Sequence, residues 1–229
     1  MPNAAQKGFW ETVDYVLPLL PQATSETVYM TFTSTLFAAI LGLVLGICLY
    51  SVSPVGIAPV RTVYAVLSRI VNLFRSIPFI ILMILLFPLT RLIAGTSIGP
   101  TAAIVPLSIA AAPFVARIVE TAMSEVDNGV ITAAKAMGST KVQIICKVLI
   151  PESLPALVSG LALTIISLVG YSAMAGAIGG RGLGDLAIRY GFQRSQPEVT
   201  VGAVIVILLL VEAVQIAGTV ISRSLLSKR

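Results

Sequence analysis

Apolar and polar positions divide the chain into long uncharged runs separated by short charged intervals. Thr27–Tyr50 runs 24 residues without a charge, enough for a helix to cross roughly 30 Å of hydrocarbon. Inside it, Gly42 and Gly46 form a small-xxx-small pair that lets two helices approach closely. Ser76–Thr90 is uncharged over only 15 residues, too short to span alone. The pattern there predicts one helix beginning near Tyr64, with Arg69 and Arg75 snorkelling at one end. Leu92–Ala116 is the third run. Pro100 is placed to open its helix, and Pro106 and Pro113 predict kinks whose released carbonyls pack inside a bundle. Ser153–Gly180 is uncharged over 28 residues. The glycine-rich stretch Gly176–Leu186 that follows predicts a turn, and Val199–Ser222, interrupted by Glu212, is the last run.

The result is an all-α membrane protein of five transmembrane helices, with its termini on opposite sides. Residues 1–26 precede the first span. There Phe9, Trp10 and Tyr15, with Glu11 and Asp14 and broken by Pro18 and Pro21, predict an amphipathic segment at a membrane surface, a flexible tail being the alternative. The segment lacks the basic n-region and apolar h-region of a signal peptide.

The longest interruption containing polar residues is Asp127–Pro155. Asp127 or Asn128 is placed to cap a first short helix, and Gly138 to end it in a left-handed conformation. Thr140 then starts a second helix, with Gln143 completing a capping box, and Pro151 closes that helix and opens the next. At 100° per residue, Val142, Ile145, Cys146 and Leu149 form one apolar face of the second helix. Ile144 and Val148 lie opposite. The first face is expected to meet the chain's own membrane domain and the second, beside Lys141, a separate partner. A loop helix lying on its own protein is the plain alternative.

Composition agrees with the pattern. The 229 residues are 57% hydrophobic and 11% charged, with mean hydropathy +0.99, which argues against a soluble globular domain. A net charge of +5 would suit nucleic acid, but the basic residues form no cluster and serve better as topology signals. Ten of the fifteen Lys and Arg fall in the segments after helices 1, 3 and 5. The positive-inside rule therefore predicts the N-terminus out and the C-terminus in. The expected domains are an extracytoplasmic segment 1–26, a transmembrane domain 27–222 and a cytoplasmic tail 223–229. The central loop, 127–151, comes out cytoplasmic.

Catalytic chemistry is missing. The chain has no His, and Cys48 and Cys146 support neither a disulfide nor a metal site. No Gly-Lys dipeptide is present to build a phosphate-binding loop. Gly182-Leu183-Gly184-Asp185-Leu186-Ala187 fits G-x-G-x-x-A, but without a strand–turn–helix context it reads as an exoplasmic turn. Any energy-driven work has to draw on a partner or a gradient. Glu212 is the acidic residue well inside a span; it is either a coupling carboxylate or a side chain facing protein or a water-filled cavity.

The central loop resembles that of ABC-importer permeases, which is written E-A-A, three residues, Gly, nine residues, then I-x-L-P. Here Thr132-Ala133-Ala134, Gly138 and Val148-Leu149-Ile150-Pro151 stand at those intervals, with Thr132 in place of the Glu. The role of that carboxylate is therefore not carried over. Asn72–Ile80, Gly95–Gly99, Ala111–Arg117 and Leu168–Met174 are similar to stretches of methionine-importer permeases. The resemblance implies a type I ABC-importer permease fold in the bacterial inner membrane. It implies a homodimer, two cytoplasmic ATPase subunits that bind ATP-Mg, and an extracytoplasmic methionine-binding protein. No cofactor in this chain is implied.

In the family the loop docks into the ATPase, so Thr132, Ala133, Ala134, Gly138, Thr140, Lys141, Ile144, Val148 and Pro151 are its candidate contacts. Near the outer end of the fourth helix, Tyr171, Ser172 and Met174 stand among small residues and are candidates to line a gate, with packing as the alternative. The expected function is passage of methionine, including D-methionine or derivatives. The alternatives are another amino acid or small solute, a gradient-driven carrier using Glu212, and a membrane scaffold.

Overall fold

The structure is a computed structural model, and it describes residues 17–227. Every regular element among them is helical. Helix α1 spans Leu20–Val52. It begins at Leu20 rather than Thr27, with Pro21 in the first turn, where a missing N–H removes no helical bond. The aromatic segment containing Phe9, Trp10 and Tyr15 lies outside the described residues.

The second expected span is broken. Helix α2 covers Arg61–Ser76, α3 covers Phe79–Leu85 and α4 covers Phe87–Ala94. Pro78 excludes the helical region for the residue before it, and Ile77 is extended (φ −76°, ψ 125°). The single helix expected from Tyr64 to Thr90 is thus three short ones. Helix α5, Pro100–Ser124, opens at Pro100 as expected and carries Pro106 and Pro113 inside it.

The central loop begins with α6, Asn128–Ala136, and continues into α7, a 40-residue helix from Lys141 to Gly180. The chain then forms the short α8, Gly182–Asp185, followed by a π-type stretch Leu186–Phe192 and the last helix α9, Pro197–Leu226. Among the described residues, four helices are long and apolar enough to cross a membrane: α1, α5, α7 and α9. The broken pair α2–α3 makes a fifth candidate span.

Two compact units divide the chain. In the first (1–36, 78–109 and 165–214), Ala23, Leu183, Leu186 and Val199 form a buried cluster, and Phe79 stacks on Tyr171 with ring centroids 4.9 Å apart. In the second (37–77, 110–164 and 215–229), Leu49, Val71 and Ala116 are the buried centre, flanked by Leu45, Tyr64 and Leu67. Here the small-xxx-small pair does what its spacing predicts. A Cβ on Gly42 would stand 2.5 Å from Val115 Cβ, and one on Gly46 2.5 Å from Val119 Cβ. Only glycine lets α1 and α5 come this close.

Candidate functional site

Local sequence shapes the central loop. Asp127 caps α6, its carboxylate accepting from Gly129 N–H. At the other end, Gly138 has φ +77°, and no atom lies within 4 Å of where its Cβ would be. Gly138 N–H donates to Lys135 O (3.0 Å) and Ser139 N–H to Ala134 O (3.1 Å), the paired bonds of a Schellman turn. Thr140 then caps α7: its hydroxyl accepts from Gln143 N–H, while Gln143 Oε1 accepts from Thr140 N–H at 2.8 Å. Thr132, standing where the resembling family has Glu, donates to Asn128 O at 2.8 Å within its own helix.

At the start of the second helix Val142 and Ile144 are exchanged relative to the expectation, while Leu149 is buried as expected. Ile144, expected to face a partner, is 2% exposed, whereas Val142, expected to face the chain's own domain, is 68% exposed. A wide turn over Ile145–Leu149 explains part of this. Ile150 N–H donates to Ile145 O, five residues back, so Leu149 comes over Ile144 and both are buried. The wide turn also corrects the expectation that Pro151 closes the helix. In a regular helix the proline ring would strike the carbonyl of Lys147; with the turn widened, the helix runs on through Pro151. Of the other candidates, Ala134 is buried and Val148 partly so, while Thr132, Ala133, Gly138, Thr140, Lys141 and Pro151 are exposed. The large apolar side chains exposed on this segment are Val130, Met137 (79%) and Val142.

The gate candidates do not form one group. Tyr171 is engaged with Phe79, Ser172 is 2% exposed with its hydroxyl donating to Val169 O at 2.7 Å, and Met174 is exposed. Ser172 is therefore a packing residue within this chain. The glycine-rich stretch is not a simple turn either. Helix α7 breaks at Ile178 and Gly179, and the chain re-enters helix at Gly182. Residues of α1 cap the new helix: Gly182 N–H donates to Glu26 Oε2 (3.0 Å) and Leu183 N–H to Thr27 Oγ1 (2.9 Å). Arg181 lies 3.9 Å from Glu26, Arg189 pairs with Asp185, and these four residues line a cavity of about 200 Å³ with Tyr190. Donating a hydrogen bond to the Asp185 carboxylate raises the Arg189 pKa above its ordinary value. Glu212 is exposed on α9 rather than packed against this chain.

Sequence reasoning missed one constellation. Arg117, counted only as a topology signal, donates from Nη1 to Glu120 (2.6 Å). Its Nη2 donates to Ser68 O (3.0 Å), Ser68 Oγ (2.5 Å) and Asn72 Oδ1 (3.0 Å). The readable signal was Arg117 and Glu120 three apart at the end of an apolar run, which places both on one helix face.

A sequence profile of the binding-protein-dependent transport system inner membrane component family matches residues 38–227. The chain is 50% identical over 201 residues to the "Probable D-methionine transport system permease protein MetI" of Haemophilus influenzae, covering 88% of this chain and 94% of that one. It is 49% identical over 207 residues to the "Methionine import system permease protein MetP" of Bacillus subtilis, covering 90% and 93%. Among solved structures, the inward-facing MetNI methionine ABC transporter contains a chain that superposes with a TM-score of 0.85 at 48% identity, over 87% of this chain and 93% of that one. With its multi-pass helical architecture and type I importer permease fold, this chain belongs to the binding-protein-dependent transport system inner membrane component family, as a transporter subunit and not an enzyme.

Proposed function

We propose that this chain is the membrane permease of an ATP-driven methionine importer in the bacterial inner membrane. Two copies form the path, two cytoplasmic ATPase subunits hold ATP-Mg, and an extracytoplasmic binding protein delivers methionine, D-methionine or a derivative. The names of the relatives and the MetNI likeness support the cargo and the ATPase partner. The N-terminus lies outside and the C-terminus inside. The observation that carries the coupling role is the 127–151 loop. It is capped at each turn, anchored inward by Ile131, Ala134, Ile144 and Leu149, and leaves Val130, Met137 and Val142 uncovered. A short rigid helix pair with an exposed apolar face suits docking into a cleft, where a few central residues carry most of the affinity.

The test uses the permease and its ATPase in proteoliposomes, with the binding protein outside. Methionine uptake is expected to require ATP and the ATPase. Val142→Asp and Met137→Asp insert normally but lose ATPase co-purification, whereas Ile144→Asp lowers the stability of the permease itself. Full ATPase binding by both exposed-face variants would overturn the docking role. Glu212, exposed within a span, favours a second reading as a gradient-driven carrier; uptake that persists without the ATPase and stops with an ionophore would establish it.

A further inference from the structure

We propose that Arg117 is a positioning residue that makes α2 move with α5, so that displacement of the 127–151 loop reaches the helix break after Ser76. The inference rests on the coupling role proposed above. Helix α5 ends at Ser124, and the loop's cap, Asp127, follows almost at once. About two turns before that end, the Arg117 guanidinium spans from Glu120 on its own helix to Ser68 and Asn72 on α2. Glu120 is 7% exposed, and its backbone carbonyl accepts from Ser124 Oγ at 2.8 Å. Glu120 is thus buried beside an Arg117 side chain that is 18% exposed, and the pair is tied to the last turn of α5.

Contacts on either side continue the join. Val71 and Ala116 are buried in one apolar cluster, and Arg75 lies over the Phe114 ring, 5.8 Å from its centroid. Asn72 O in turn accepts from Ser76 Oγ at 2.9 Å, at the residue where α2 ends. Three residues beyond Ser76, Phe79 stacks on Tyr171, a gate candidate. Arg117 therefore joins the helix leading to the loop with the helix leading to the break.

The chemistry calls for arginine. A planar fork can serve Glu120 through one nitrogen and α2 through the other, whereas a lysine ammonium on its flexible stem cannot hold both directions at once. Arg117 Nε is buried without a partner.

Arg117→Lys and the milder Asn72→Ala, in the complete transporter in proteoliposomes, provide the test. Both variants are expected to retain ATPase co-purification and binding-protein-stimulated hydrolysis within about twofold, while methionine taken up per ATP falls about two- to thirtyfold. The control is Val142→Asp, which loses ATPase binding instead. If both variants keep the wild-type uptake per ATP, Arg117 positions nothing. If uptake, hydrolysis and melting temperature fall together in both, Arg117 only holds the fold. Either result overturns the proposal while wild-type uptake remains ATP-dependent. Failure of ATP-dependent uptake in the wild type would overturn the importer reading itself.

Discussion

Helix α7 begins and ends at glycine-marked breaks, and the two are held by different parts of the chain. Before α7, the Gly138 turn is closed by Lys135, Ala134, Thr140 and Gln143, all within nine residues of one another. After α7, the break at Ile178–Gly179 depends on groups far away in sequence. Gly179 O accepts from Gly99 N–H at 2.9 Å, and the first N–H groups of α8 are met by Glu26 and Thr27, 156 residues distant. Helix starts expose N–H groups that require acceptors in either case. A local acceptor lets the turn form with its neighbours, while a distant acceptor makes it form only when the unit has assembled.

The sharpest way to break this contrast is to remove a distant cap. Leu183 is fully buried, so Thr27→Val strands its N–H without water and costs about 1–3 kcal/mol. Thr27→Ser keeps the acceptor and is expected to recover most of that loss. Thermal unfolding of the purified permease in detergent checks both. A melting temperature unchanged by Thr27→Val would mean that α8 needs no support from α1.

Local variants should act more weakly and stay where they are made. Gly138→Val forces a β-branched residue into the left-handed region at a cost of about 1–2 kcal/mol, although its side chain meets open space. Thr140→Ala removes half of the capping box and costs about 1 kcal/mol. Both are expected to insert and to keep their membrane helices. Hydrogen exchange should rise across 128–149 and remain unchanged at 182–192; a rise at both sites would erase the distinction.

The same contrast separates what was legible in the sequence from what was not. Asp127, Gly138, Thr140 and Gln143 announced the loop because each acts on a backbone group within a few residues. Gly42 and Gly46 announced close helix packing because their spacing alone brings them to one face. Val142 and Ile144 do lie on opposite faces, as 100° per residue requires, but two apolar faces carry no mark of which one is buried. The wide turn at Ile145–Leu149 then brings Leu149 round to the Ile144 side, which an unbroken helix would not. The break in the helix expected from Tyr64 has a local mark in Pro78, which pushes Ile77 out of the helical region, but hydropathy alone does not register it. The glycine-rich return and the Arg117 node depend on Glu26, Thr27, Ser68 and Asn72, which carry no local mark of their distant partners.

The smallest expected effect concerns Arg181, at the centre of the distant turn. Its φ of 61° and ψ of −160° lie in a region that is essentially glycine's. Holding a side chain there costs about 1–3 kcal/mol. The Glu26 contact at 3.9 Å returns little, because the arginine side chain is 59% exposed and such pairs contribute about 0–1 kcal/mol. Arg181→Gly relieves the strain but gives the unfolded chain more freedom, a loss of about 0.5–1 kcal/mol. The balance predicts a melting temperature equal to wild type or slightly higher. Glu26 keeps its hydrogen bond from Gly182 N–H, so the cap on α8 does not depend on the arginine. A drop as large as that of Thr27→Val would show that the Arg181 side chain, and not the cap from α1, holds the return.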